Sequence, residues 1–181
     1  GRPEGTPTTG KGGEGAKRGK QEPDDKPRLR TFFVSPEIAL RVGQQVLREP
    51  GRRQRVGVAS RHDPVKISGL ICDLVQLWMV QRNLLDDDYS DLVFGSKEYV
   101  RDSRHPKRAK LVAYMTDDFY LKFRAACIDE QERWGYDGMP ADRVSSASGI
   151  VRGLLLYWLE HRDVLDETLR RRRDGQRDEP H

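Results

Sequence analysis

The stretch SGLICDLVQLW at residues 68–78 recurs as SGIVRGLLLYW at residues 148–158, an offset of 80 residues. Three further identical pairs continue in the same register: Arg82 with Arg162, Leu85 with Leu165, and Asp86 with Asp166. An internal repeat of this kind indicates an architecture built from copies of one supersecondary unit. The repeat therefore predicts two matching structural units, one around each copy.

Both copies carry apolar side chains at the spacing of an amphipathic helix, in which positions i, i+3, i+4 and i+7 share one face. These side chains are Ile67, Leu70, Ile71, Leu74, Val75 and Trp78 in the first copy, and Ile150, Val151, Leu154, Leu155, Trp158 and Leu159 in the second. Asp63 before Pro64 is typical of a helix start, and Ser145 or Ser146 is a suitable cap for the second helix. The pattern predicts two matching helices whose tryptophans belong to the core.

A strand and another helix are predicted upstream of each of these helices. RTFFV at residues 30–34 and KLVAYM at residues 110–115 are rich in β-branched and aromatic side chains, which favour strands. Helix starts follow at Ser35-Pro36-Glu37 and at Thr116-Asp117-Asp118, with helix ends expected near Leu47 and Trp134. Each block is therefore predicted as strand, helix, loop and helix.

One such block has no partner for its strand and leaves a broad apolar face uncovered, so two blocks are needed for a stable core. The predicted fold class is mainly α with a short two-stranded antiparallel ribbon, formed as a tandem pseudo-dimer with disordered tails. The predicted divisions are a disordered basic tail at 1–27, a first repeat at 28–87, a linker at 88–107, a second repeat at 108–167 and a polar Arg-rich tail at 168–181.

The composition favours an acidic partner. The 181 residues include 33 Lys and Arg against 29 Asp and Glu, which gives a formal net charge of +4, and nucleic acid is the first such partner to consider. No run reaches the roughly 18 apolar residues of a membrane span, and the N-terminus lacks the apolar segment of a secretory signal. Cys72 and Cys127 lie in apolar helical patterns, which favours reduced thiols and a cytoplasmic location.

No constellation of residues indicates an enzyme or a bound cofactor. The four histidines have no metal-ligand spacing with the cysteines. The acidic run Asp86-Asp87-Asp88 lacks the spacing of a calcium loop, and we find no phosphate-binding loop or nucleophile elbow. We therefore expect no enzymatic activity, no metal, no cofactor and no small-molecule substrate.

The order of elements resembles the ribbon–helix–helix superfamily, the fold of the Arc and MetJ repressors. The resemblance is carried by residues 31–37 and 111–118 at the strand–helix junctions and by residues 66–71 and 146–152 at the second helices. In that family two strands enter the major groove as a ribbon, alternate side chains read base edges, and the N-termini of the second helices bind phosphates. A single chain with two such units resembles tandem accessory proteins of conjugative relaxosomes.

Side-chain alternation along the strands decides which face would read bases. Phe32 and Val34 are predicted to face inward with the more apolar set of the second strand, namely Leu111, Ala113 and Met115. The resemblance assigns base reading to Arg30, Thr31, Phe33, Lys110, Val112 and Tyr114. The family usually presents polar residues on this face, so two roles stay open for Phe33 and Val112: contact with thymine methyl groups or ordinary packing.

A second set of residues is expected to contact phosphates. The set comprises arginines assigned to the loop between the first block's helices and residues near the starts of the second helices: Arg52, Arg53, Arg55, Arg61, Lys66, Ser68, Arg143, Ser145, Ser146 and Ser148. Two alternatives stay open for them, a solvated loop for the arginines and helix caps for the serines.

The sequence therefore predicts sequence-preferring binding of double-stranded DNA through a β-ribbon in the major groove. The expected role is transcriptional regulation, plasmid partition or relaxosome assembly in a bacterial cell, with further copies of the chain on repeated sites as a second kind of partner. The alternative is a protein-interaction adaptor or antitoxin-like module with the same fold, which the apolar character of the ribbon favours.

Overall fold

A computed structural model describes residues 1–3, 5, 25–86, 108–136 and 147–177. Within these ranges the chain forms two strands and five α-helices: β1 (Arg28–Val34), α1 (Pro36–Arg55), α2 (Ile67–Val80), β2 (Ala109–Met115), α3 (Asp117–Tyr136), α4 (Ala147–Glu160) and α5 (Asp166–Arg177). Short 3-10 turns follow α2 at Arg82–Leu85 and α4 at Arg162–Leu165. The prediction of a mainly helical chain with one short antiparallel ribbon is confirmed.

The two strands form a ribbon in which Arg28 lies opposite Met115 and Val34 lies opposite Ala109. Successive side chains of a strand point to opposite faces. The inner face buries Phe32, Val34, Leu111, Ala113 and Met115, and the outer face exposes Leu29, Thr31, Phe33, Lys110 and Tyr114. The predicted inward set is therefore confirmed.

Each strand leads directly into a helix whose first turn is capped by a hydroxyl group. Ser35 Oγ accepts a hydrogen bond from the Ile38 backbone N–H at 3.2 Å, and Thr116 Oγ1 accepts one from the Phe119 N–H at the same distance. These caps satisfy N–H groups that have no partner within the helix. Both predicted starts of the first helices are confirmed.

The first helix is longer than predicted. α1 runs to Arg55, about two turns beyond the predicted end near Leu47. Pro50 lies inside this extension, where its missing N–H removes one hydrogen bond of the helix. The loop position predicted for three arginines is therefore wrong, because these residues belong to the last turn of α1: Arg52, Arg53 and Arg55.

The start of α2 also differs from the prediction. The Asp63 carboxylate accepts a hydrogen bond from the Ser60 N–H at 3.0 Å, so this aspartate stabilises a local turn and caps no helix. α2 begins at Ile67, with Lys66 as its N-cap residue and no side-chain hydrogen bond at that end. The predicted start at Asp63 is wrong because the nearby turn already uses its carboxylate.

The second helices pack across the two halves of the chain. α2 packs against β2, α4 packs against β1, and the two helices also pack against each other. Ser68 Oγ of α2 accepts a hydrogen bond from the Tyr114 N–H at 2.9 Å, and Ser148 Oγ of α4 accepts one from the Phe33 N–H at 3.1 Å. Each strand is thereby attached to a helix of the other half.

The core lies between the inner face of the ribbon and the helices. Trp78 and Trp158, which occupy matching positions of the repeat, are both almost completely buried, so their predicted core role is confirmed. The Phe123 ring lies edge-on to Trp78 and to Phe32, with ring centroids 6.0 and 6.3 Å apart. Aromatic rings favour this edge-to-face arrangement because of their quadrupoles. The predicted apolar faces of both second helices are buried apart from Ile67, which is half-buried.

A buried acidic residue connects α1 to the end of the second half. Glu49 is fully buried, and its carboxylate accepts a hydrogen bond from Arg52 Nε at 2.8 Å. The Arg52 guanidinium also donates two hydrogen bonds to Asp166, at 3.0 and 2.6 Å. Hydrogen bonding to Asp166 raises the pKa of Arg52 far above its ordinary value despite partial burial. We call Glu49, Arg52 and Asp166 the Glu49 cluster.

The other half contains a matching arrangement. Glu130 is buried and contacts Arg133, which donates two hydrogen bonds to Asp86 at 3.3 and 2.6 Å. Burial lowers the pKa of Arg133, but hydrogen bonding to Asp86 and attraction to Glu130 outweigh it, so the pKa is raised. We call Glu130, Arg133 and Asp86 the Glu130 cluster. In both clusters a first helix binds the aspartate that follows the second helix of the opposite half.

The C-terminal segment forms a helix over residues predicted as a tail. α5 lies against the first half: Arg172 pairs with Asp73 at 3.0 Å, and Arg173 donates a hydrogen bond to the Gly57 carbonyl at 2.6 Å. The disordered tail predicted at 168–181 is therefore wrong as far as Arg177. Most of the tail predicted at 1–27 and all of the linker predicted at 88–107 lie outside the described residues.

The described part of the chain contains no helix long and apolar enough to cross a membrane. It also contains no group of three side chains that could hold a metal ion. Cys72 is half-buried and Cys127 is buried, and neither forms a disulfide. Burial raises the pKa of Cys127 to about 12, which is typical of an unreactive thiol within a core.

Phe32→Ala is expected to lower the free energy of unfolding by about 3–5 kcal/mol, because it removes a buried ring and leaves a cavity. Phe33→Ala is the matched control, since this neighbouring ring lies on the outer face, and it is expected to cost about 1 kcal/mol or less. Urea denaturation followed by tryptophan fluorescence measures both losses. Equal losses would contradict the assignment of the two ribbon faces.

Arg52→Met is expected to lower the free energy of unfolding by about 3–5 kcal/mol, because it deprives the buried Glu49 carboxylate of its main cation. The double variant Glu49→Gln with Arg52→Met is the control. It removes both charges and is expected to cost less than Arg52→Met alone. Urea denaturation measures the free energy of unfolding of the parent and of both variants. If Arg52→Met is as stable as the parent, the Glu49 cluster has no stabilising role.

Candidate nucleic-acid interface

The outer face of the ribbon consists of three cross-strand pairs: Leu29 with Tyr114, Thr31 with Val112, and Phe33 with Lys110. Neighbouring pairs are about 7 Å apart, twice the rise per residue of a strand. Leu29 is 55% exposed, Phe33 39% and Tyr114 59%, although side chains of this kind are more often buried. We call these six residues the outer ribbon face. A two-stranded ribbon of this width is a shape that the major groove admits.

The outer ribbon face combines polar groups with apolar side chains. The Thr31 and Tyr114 hydroxyls can donate and accept hydrogen bonds, and the Lys110 ammonium can donate them. Lys110 is also the only charged residue of this face. The remaining three side chains match the methyl group that thymine presents in the major groove. The face can therefore distinguish base pairs by few hydrogen bonds and several apolar contacts.

The N-terminus of α2 lies beside one end of the ribbon, because Ser68 is bonded to the backbone of Tyr114. The first N–H groups of a helix have no acceptor within it, and no side chain caps this end of α2. Together with the exposed Lys66, these groups form a positively charged end suited to a phosphate.

Two of the serines that were predicted to bind phosphates, Ser68 and Ser148, bind the ribbon backbone. The oxygens of Ser68 and Ser148 already accept hydrogen bonds from ribbon N–H groups, so these serines position the second helices against the strands. Their hydroxyl hydrogens remain able to donate. The equivalent region before α4 lies outside the described residues, and with it the predicted residues Arg143, Ser145 and Ser146.

Arg30 does not lie on the outer ribbon face, to which it had been assigned. It has the same strand parity as Phe32 and donates a hydrogen bond to Asp117 at 2.5 Å. Its guanidinium also lies 4.1 Å from the centroid of the Tyr120 ring. Arg30 therefore connects β1 to the start of α3, and its assignment to the reading face is corrected.

Two of the arginines predicted to contact phosphates are engaged within the fold. Arg52 is held in the Glu49 cluster, and Arg53 is 8% exposed with its Nε 3.3 Å from Glu49. Their expected availability to phosphates is therefore corrected. Arg55 at the end of α1 and Arg61 in the connection to α2 are exposed, so these two keep the predicted surface position.

No protein-family model, curated protein or solved structure matches the chain. The sequence prediction missed the attachment of Ser68 and Ser148 to the ribbon. The available signal was that both serines occupy the same position of the repeat, next to a helix start.

Proposed function

We propose that the chain is a sequence-preferring double-stranded DNA-binding protein of the ribbon–helix–helix type. The observation that carries the proposal is the outer ribbon face, with the uncapped α2 N-terminus and Lys66 beside it. In this proposal the ribbon enters the major groove and reads base edges. The N-terminus of α2 holds a backbone phosphate and fixes the register of the ribbon on the duplex.

The two halves are proposed to form a pseudo-dimer within one chain. Support comes from features that occur once in each half at equivalent positions. These features are the hydroxyl caps of the first helices, the serines that bind the opposite strand, the buried tryptophans, and the Glu49 and Glu130 clusters. In this proposal one chain supplies both strands and all four packed helices, which in other ribbon–helix–helix proteins come from two chains.

The chemistry of the outer ribbon face sets the expected kind of recognition. Lys110 is suited to guanine, whose N7 and O6 accept hydrogen bonds. The Thr31 and Tyr114 hydroxyls are suited to either a donor or an acceptor group on a base edge. Leu29 and Phe33 are suited to thymine methyl groups. Exposed cations outside the ribbon, among them Arg55, contribute affinity that depends on salt and not on sequence.

The proposed cellular role is that of a transcriptional regulator, a plasmid partition protein or a relaxosome accessory protein, acting in the cytoplasm without enzymatic activity. A protein-interaction adaptor or antitoxin-like module is the second candidate. The observation that favours it is that three of the six outer ribbon residues are apolar, namely Leu29, Phe33 and Val112. Such a face also suits a peptide partner, because the core of a protein interface is poor in charge.

Lys110→Ala and Tyr114→Ala are each expected to weaken binding to the preferred duplex by about 1–3 kcal/mol, because each removes a base contact. Selection from random duplexes identifies the preferred sequence, and fluorescence anisotropy on a duplex that holds one site measures affinity. Lys122→Ala on α3 is the control, since Lys122 is exposed and lies outside the outer ribbon face. If Thr31→Ala with Tyr114→Ala stays folded and keeps full affinity and discrimination, the ribbon does not read DNA and the protein-interaction function becomes the better proposal.

Lys66→Ala is expected to weaken binding to all duplex sequences by a similar factor. Removal of one phosphate contact should reduce the slope of log K against log salt by about one. Anisotropy titrations of preferred and scrambled duplexes at several salt concentrations measure this slope. A loss confined to the preferred sequence would assign Lys66 to base reading instead.

A further inference from the structure

α5 contributes little to the core. The structure describes all twelve of its residues, and none of them is buried. Its single apolar side chain, Leu169, is partly buried against the core. The position of α5 is set instead by polar contacts with α1, with α2 and with the connection between them. Burial therefore does not explain why a helix with five arginines lies at this place.

The contacts of α5 place its C-terminal part beside the N-terminal part of α2. Arg172 pairs with Asp73, which lies about 9 Å along the axis from the first residue of α2. Arg173 donates a hydrogen bond to the carbonyl of Gly57, in the connection that leads from α1 to Lys66 at the start of α2. This is the end of α2 at which the proposed function places a backbone phosphate.

Three arginines of α5 lie along the side of the helix that faces this connection. Arg170, Arg173 and Arg177 are spaced by three and four positions, which places them on one side of the helix, and Arg173 makes the contact with the connection. The connection itself exposes Arg61, and Arg55 is exposed at the end of α1. We call Arg55, Arg61, Arg170, Arg173 and Arg177 the basic surface. Like charges brought together repel each other, so this arrangement favours an anionic partner.

The carboxylates of the same segments do not cancel these cations. Residues 54–66, α2 and residues 167–177 together contain eight Lys and Arg and four Asp and Glu, which leaves a formal charge of +4. The four carboxylates are those of Asp63, Asp73, Glu167 and Asp174. Glu167 is shared between two arginines of α5, at 3.2 and 3.6 Å. Beside these segments, Asp166 and Glu49 are balanced by Arg52 and Arg53.

The excess of positive charge is a property of one half and not of the repeat. At the offset of 80 residues, the equivalent sequence consists of residues 134–146, α4 and residues 87–97. It contains three Lys and Arg and six Asp and Glu, which leaves a formal charge of −3. The four consecutive arginines at 170–173 have Ser90, Asp91, Leu92 and Val93 as their equivalents. An anionic partner is therefore attracted to one half of the pseudo-dimer.

We propose that the basic surface binds the sugar-phosphate backbone of duplex DNA next to the site that the ribbon reads, on one side of that site only. This inference rests on the proposed function, which places the same duplex at the α2 N-terminus and so beside the basic surface. Arginine is suited to this ligand, because its planar guanidinium can donate two parallel hydrogen bonds to one phosphate. α5 is about 18 Å long, which equals about five base pairs of duplex.

The ribbon identifies the side of the site on which this contact lies. The Tyr114 N–H binds Ser68 near the α2 N-terminus, and Tyr114 lies opposite Leu29 near one end of the ribbon. Lys110 lies near the other end, opposite Phe33. The basic surface therefore binds the flank that is farther from the base contacted by Lys110.

The test compares three duplexes by fluorescence anisotropy: the shortest selected site, and the same site extended by about six base pairs of arbitrary sequence on one side or on the other. Extension on the side away from Lys110 should raise the affinity of the parent about tenfold, because it adds several phosphate contacts. Extension on the other side should raise it about twofold or less. The change of selected sequence caused by Lys110→Ala shows which end of the site Lys110 contacts.

Arg170→Gln with Arg177→Gln removes two cations of the basic surface and keeps Arg172 and Arg173, which hold α5 in place. This variant should bind the shortest duplex as the parent does and lose most of the gain from the extension. On the extended duplex its slope of log K against log salt should fall by about two. Arg170→Lys with Arg177→Lys keeps both charges and should retain most of the gain.

Lys122→Gln with Arg124→Gln is the matched control, because it also removes two exposed cations but on α3. It should keep the full gain from the extension. Urea denaturation should give the same midpoint for the parent and for every variant, since all of the substituted side chains are exposed.

Three results would overturn the contact with flanking DNA. The first is a gain that is equal for both extensions or that lies on the Lys110 side. The second is a variant at Arg170 and Arg177 that keeps the gain of the parent. The third is full binding of the shortest duplex with no gain from either extension, which would assign the basic surface to another anionic partner, such as an acidic protein or an anionic membrane.

Failure of the proposed function gives a different result. If no preferred sequence emerges from random duplexes, the ribbon does not read DNA, and the contact is then tested on arbitrary duplexes. There Arg170→Gln with Arg177→Gln should still reduce the salt slope by about two, and the α3 control should leave it unchanged. Equal slopes for these two variants would overturn the contact as well.

Discussion

The pairing of β1 with β2 is the constraint on which the rest of the structure depends. In the described part of the chain neither strand has another partner, so residues 28–34 must meet residues 109–115 before an inner or outer face exists. The pairing also fixes where the second helices dock, since Ser68 binds the backbone of β2 and Ser148 that of β1. Each half therefore completes its core with elements of the other, and an isolated half would leave a strand unpaired.

The Glu49 and Glu130 clusters fix how the helices of the two halves are oriented relative to each other. Removal of a glutamate and an arginine from water is costly, and a well-packed apolar pair would stabilise a core at least as well. What the charged groups add is geometry, because a bidentate contact between arginine and aspartate is satisfied in one relative position. Each cluster joins the first helix of one half to the aspartate after the second helix of the other. We infer that the two clusters select the correct packing of the halves over packings that leave these charges without partners.

Periodicity predicted the parts of this fold that depend on burial alone. The apolar faces of α2 and α4 and the inner ribbon face follow from spacings of 3.6 and 2 residues, and the structure buries their apolar side chains apart from the half-buried Ile67. Two of the errors fall where a polar side chain has a partner that is distant in sequence. Arg52 is held by Asp166, 114 positions away, and α5 is fixed through Arg172 on Asp73. The error at Asp63 is local, because its carboxylate binds the Ser60 N–H three residues away. The error at Arg30 was avoidable, because side chains alternate along a strand and Arg30 lies on the same face of β1 as the buried Phe32.

The covalent joining of two unlike halves bears on the kind of DNA site that the proposed interface would read. A symmetric dimer presents identical side chains from both strands and so favours palindromic sites. Here the equivalent outer positions carry Leu29 and Lys110, Thr31 and Val112, and Phe33 and Tyr114. Only the aromatic pair is similar in kind, and the single cation lies at one end of the face. Such a ribbon makes unlike contacts with the two halves of a site, so the proposed binding would have a direction on the duplex.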